Sequence, residues 1–153
     1  MIEFLKSDGN SKLQETLAEY AFLKDLLIDG VRNNTKVLVS RSDFDAFGYD
    51  ILVQLDESKD IFKLQLKTLN GKCRVWDIHK SLLEDKNGNV VLIKIMAEND
   101  NIDFKYYTIL SDSRNEIIQR KPKKPHSKKC KLNIGDLKPI VKTELLSKIL
   151  NYK

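Results

Sequence analysis

The chain predicts a single α/β domain with a mixed central sheet flanked by helices. Three observations lead there. Apolar residues recur at helical spacing between residues 11 and 29. Apolar and polar residues then alternate with period two at 49–56 and 61–67. Further on, Val90-Val-Leu-Ile-Lys-Ile-Met96 is apolar apart from Lys94, as in a strand buried on both faces.

With 153 residues the chain can bury one core but not comfortably two, so residues 1–153 are expected to form one domain. Hydrophobic residues make up 41% and charged residues 32%, the balance of a globular rather than a disordered chain. No apolar run approaches the ~20 residues that span a bilayer. The start, Met1-Ile-Glu-Phe-Leu-Lys6, lacks the basic and apolar regions of an export signal. A cytoplasmic protein with no membrane partner is expected. Cys73 and Cys130 stand in unrelated contexts, which argues against a disulfide framework. Cys73-x5-His79 and His126-x3-Cys130 lack the tight spacing of a zinc site. A net charge of +5 favours an anionic partner without naming one.

Residues 1–10 read as a loosely ordered lead-in. The helix at 11–29 has Ser11 as its cap, Gln14 three residues on, and Gly30 as its stop. Leu13, Leu17, Tyr20, Leu23 and Leu27 form its expected buried stripe. Glu19 lies at the margin of that stripe, beside Phe22, Leu23 and Leu26. A carboxylate there is costly unless it is paired or binds a cation. Val37 to Val39 give a first strand, 49–56 a second and 61–67 a third. Asn70-Gly71 reads as a turn, and residues 72–76 extend or re-enter the sheet. Asp77 is placed to cap a helix over 78–83. The strand at 90–96, another at 104–110 and a short helix from Ser111 to Gln119 follow. Residues 120–131 hold seven Lys or Arg residues, two prolines and no acid, which predicts a basic loop or arm. An amphipathic helix at about 135–152 closes the chain.

The hairpin at 49–67 carries the chemistry. A turn of two or four residues puts Asp50, Gln65 and Lys67 on one face, whereas a three-residue turn flips one strand. The pattern Asp45-x-x-Gly48-x-Asp50, followed by Gln65-x-Lys67 on the next strand, resembles the PD-(D/E)XK nuclease superfamily. With the neighbouring elements, the resemblance covers roughly residues 13–110. It implies a restriction-endonuclease-like αβββαβ core and a metal-dependent endonuclease that hydrolyses phosphodiester bonds in DNA.

By that resemblance, Asp50 is the metal-binding carboxylate. The Gln65 amide and the Leu66 backbone carbonyl are further ligands, and Glu19 is the first-helix acid. The cation would be Mg²⁺ or Mn²⁺, which suit oxygen ligands. Lys67 would orient the attacking water or stabilise developing charge. Asp45 and Gly48 match accessory positions; as local residues they read equally well as a turn acid and a sharp bend. Gln65 departs from the commoner acid and leaves the site one negative charge short. The basic residues Arg120, Lys121, Lys123, Lys124, Lys128, Lys129 and Lys131 are the expected nucleic-acid contacts. Cutting two strands commonly uses two sites, which points to a homodimer. Two other readings compete: a silent relative that only binds nucleic acid, and a protein-interaction module.

Overall fold

The computed structural model describes residues 2–7, 9–42, 48–56, 58–69, 73–120, 124 and 126–151. The chain runs through α1 (Ile2–Lys6), α2 (Ser11–Arg32), β1 (Val37–Arg41), β2 (Ile51–Leu55) and β3 (Ile61–Leu69). It continues through β4 (Val75–His79), α3 (Lys80–Glu84), β5 (Gly88–Glu98), β6 (Asn101–Ile109) and α4 (Arg114–Ile118). β7 (Lys129–Asn133), β8 (Leu137–Ile140) and α5 (Leu145–Ile149) complete it.

Six strands form a mostly antiparallel sheet in the order β1-β2-β3-β5-β6-β8. β3 and β5 pair in parallel, and β4 and α3 supply the crossover between them. β4 and β7 form a separate antiparallel ribbon. The middle of the sheet is buried on both sides because β5 is apolar on both. Val91 and Ile93 meet α2 and α5, while Val90 and Leu92 meet α3, α4 and the ribbon. No helix among the described residues is long and apolar enough to cross a membrane.

Several local expectations are corrected. The lead-in contains α1, whose Leu5 is buried and accepts a hydrogen bond from Gln14 Nε2. That bond, rather than a capping box, is what Gln14 makes. α2 continues through Gly30 to Arg32. A Cβ at Gly30 would come within 2.6 Å of Val37 and 2.8 Å of the Thr35 carbonyl, so the glycine admits the returning chain. The inward face of α2 carries Gln14, Ala18, Phe22, Asp25, Leu26 and Asp29. Leu13, Tyr20 and Leu27 point outward instead.

Asp77 lies within β4 rather than capping a helix, and its carboxylate pairs with Lys131 across the ribbon. Ser111 opens a 3-10 turn without a side-chain cap, and α4 follows it. The closing helix is replaced by β8, a 3-10 turn at Lys142–Glu144, and the short α5. Pro139 would break a helix but is tolerated on an edge strand, where β8 lies. The basic arm is shorter than expected because Lys129–Asn133 forms β7. Cys130 and Leu132 alternate inward there, so apolar burial overrides charge.

Candidate functional site

β2 and β3 pair in the register Ile51↔Leu64 to Gln54↔Ile61. β2 ends at that point, while β3 runs on to Leu69 with only β5 beside it. From Gln65 onward, no strand among the described residues pairs with that edge of β3. Asp50 occupies the gap. Its N–H donates to the Leu64 carbonyl at 2.8 Å, and its Oδ2 accepts the Leu66 N–H at 2.6 Å. The carboxylate thus takes the place of the next strand acceptor, in a short charge-assisted bond. A strand residue's N–H and C=O point the same way, so the Leu66 carbonyl opens on this edge too.

Gly48 makes the approach to Asp50. Its φ of +75° is in the left-handed region, and a Cβ would lie 2.4 Å from the His79 ring. Both facts call for glycine. His79 therefore packs on the bend that leads to Asp50.

A cavity of about 610 Å³ opens at this edge and brings together Glu19, Asp50, Gln65, Leu66 and Lys67. Side-chain alternation puts Gln65 and Lys67 on the face of β3 away from Leu64 and α2. Glu19 arrives from α2 on the other side, so the cavity straddles the sheet edge. Gln65 is buried, and its Oε1 has no hydrogen-bond partner among the described residues. An unsatisfied buried acceptor costs about 1–3 kcal/mol. Glu19 is not idle: Arg41 Nη2 lies 3.0 Å from its Oε1, and the same guanidinium sits 5.4 Å from the Tyr20 ring centroid. Lys67 forms no ion pair among the described residues.

The donors are all oxygens: the Asp50 and Glu19 carboxylates, the Gln65 amide and the Leu66 carbonyl. Such a set suits a hard divalent cation, and the orphaned Gln65 oxygen is the atom such an ion would satisfy. Among the described residues no three His, Cys, Asp or Glu side chains form a ready metal cluster. The set is thus poor in charge, and Arg41 competes for one of its two acids.

Other predicted residues fall elsewhere. Asp45 lies outside the described residues, as do Lys121 and Lys123. Lys124, Lys128 and Lys129 are exposed. Arg120 is ion-paired: it binds Asp136 through two bonds of 2.5 and 2.7 Å and also reaches the Lys131 carbonyl. The pairing lowers the Asp136 carboxyl below its usual range and raises the Arg120 guanidinium. Lys131 is held by Asp77. Cys73 is exposed and Cys130 is buried, which raises the Cys130 thiol.

Arg41, Lys12 and Thr16 line the cavity and were not singled out from the sequence. A signal was present for two of them. Lys12, Thr16 and Glu19 recur at spacings of four and three, one face of α2. Arg41 has none in sequence; it matters only because β1 ends beside Glu19.

No protein-family model and no curated protein matches this chain. A bacterial homing endonuclease of known structure aligns over 82% of this chain and 76% of its own, at 14% identity and a TM-score of 0.35. A likeness that distant assigns neither fold family nor activity, and the function has to be argued from the cavity's own residues.

Proposed function

We propose that this chain is a divalent-cation-dependent endonuclease of the restriction-endonuclease-like class, acting on DNA. The observation that carries the reading is the buried Gln65 oxygen, without a partner among the described residues, in the cavity that Asp50 and Lys67 share. The succession α2-β1-β2-β3-β4-α3-β5, in which β4 lies outside the main sheet, and the motif spacing support it. Asp50, Gln65 and the Leu66 carbonyl would hold Mg²⁺ or Mn²⁺, with Glu19 as a fourth donor. Such an ion, when bound, stabilises charge on a phosphate and acidifies a water.

The remaining roles belong to the chain itself. The Leu66 N–H fixes the Asp50 carboxylate in place. The Lys67 ammonium would hydrogen-bond an attacking water or a phosphate oxygen as charge develops. Arg41 and Lys12 on the rim, with Lys124, Lys128 and Lys129, would contact neighbouring phosphates.

One observation favours the competing reading of a silent nucleic-acid-binding module: Arg41 already neutralises Glu19. Plasmid cleavage in Mg²⁺ and in Mn²⁺ separates the two. The wild type should nick or linearise the plasmid, and Asp50→Ala and Lys67→Ala should each lose about 10²-fold or more in rate. If the wild type binds DNA in a salt-sensitive way yet cuts in neither metal, the binding module is the correct account.

A further inference from the structure

Of the expected stripe, Leu13, Tyr20 and Leu27 face away from the core, Leu17 is half-buried, and Leu23 packs against the core. Leu13, Tyr20, Leu27, Ile28 and Val31 are between 40% and 76% exposed. The inward face of α2 is buried against the sheet and α5. α2 is thus apolar on two opposite sides, and the described residues cover one of them.

Residues 13, 17, 20, 24, 27 and 31 alternate spacings of four and three, the pattern of a helix-pairing seam. We infer that this outer face of α2 is a two-fold interface with a second copy of the chain, its helices antiparallel. The seam is self-complementary about its midpoint. An antiparallel partner sets Leu13 against Val31 and Leu17 against Leu27. Tyr20 then lies opposite Lys24, the one charge on the seam. In a parallel pair the two Lys24 ammonium groups would face each other.

The area is sufficient. The exposed stripe offers roughly 500 Å² per copy, so a pair would bury on the order of 1,000 Å², the lower bound for a specific interface. The 22 residues of α2 span about 33 Å, long enough to carry the whole contact.

A two-fold axis normal to the plane of the two helices leaves equivalent flanks on the same side. Glu19 lies on such a flank, so both cavities would open toward one side of the pair. This last consequence rests on the nuclease reading; the pairing does not.

Sedimentation equilibrium on the full chain over a concentration series tests the inference. The wild type should be a dimer. Leu27→Glu with Val31→Glu should be a monomer with an unchanged circular-dichroism spectrum. Leu13→Lys, at the far end of the seam, should weaken the dimer by itself and guards against a folding defect in the double variant. A wild type that stays monomeric throughout, or a dimer that both variants leave intact, overturns the inference. So does a monomer that floats with anionic vesicles, because the stripe would then be a membrane surface. Cleavage is not read in this test, so its failure is separate from failure of the nuclease reading.

Discussion

α2 presents three acids to apolar surroundings, and its two halves treat them differently. In the second half, Asp25 and Asp29 belong to a closed network. The Tyr106 hydroxyl donates to Asp25 at 2.7 Å, and Lys24 lies 3.4 Å away. Burial and Asp25 together raise the Tyr106 hydroxyl far above its ordinary range. The Leu146 N–H donates to Asp29 at 2.9 Å and so pins the start of α5 to α2. Nearby, Asn89 donates to the Ile149 carbonyl and accepts from Thr108 and the Val90 N–H. In the first half, Glu19 lies beside a cavity whose Gln65 oxygen has no partner among the described residues. Both regions place polar groups among apolar ones. At Asp25 and Asp29 they dock elements, whereas at the cavity an acceptor is left without a partner among the described residues.

Two substitutions can break this contrast. The larger effect is expected at Asp29. Asp29→Ala leaves the Leu146 N–H without its acceptor at a buried junction, and should cost about 2–3 kcal/mol in urea unfolding. At the open site the sign should reverse. Gln65→Leu removes an unsatisfied oxygen at similar volume, and should leave stability unchanged or raise it by about 1 kcal/mol. If Gln65→Leu costs as much as Asp29→Ala, Gln65 is a structural residue and the contrast fails.

The same contrast explains what could be read in advance. The β2–β3 hairpin was legible because period two holds there apart from Leu52 and Ile61, and Asp50, Gln65 and Lys67 share one parity. β5 was legible from its apolar run. The buried face of α2 was not, because Gln14, Asp25 and Asp29 look solvent-exposed until their partners appear. Those partners are 9 residues away for Gln14, 81 for Asp25 and 117 for Asp29. The outward leucines then read as core. β7 was hidden because Cys130 and Leu132 alternate within a lysine run. β8 was hidden because Leu137, Ile140 and Leu145 also fit a helical period, against the warning of Pro139. Of the cavity, the hairpin residues and Glu19 could be proposed from sequence. Arg41 could not, since only the fold brings it to Glu19.

A divalent cation would complete the cavity around Gln65 and Asp50. Isothermal calorimetry with Mg²⁺ and with Mn²⁺ on the wild type, Gln65→Glu and Asp50→Ala tests it most directly. Adding a carboxylate to an oxygen site raises affinity for a hard cation. The account predicts measurable binding by the wild type, binding about tenfold tighter or more by Gln65→Glu, and none by Asp50→Ala. Binding that is unchanged in both variants, or absent from the wild type and Gln65→Glu alike, would contradict it.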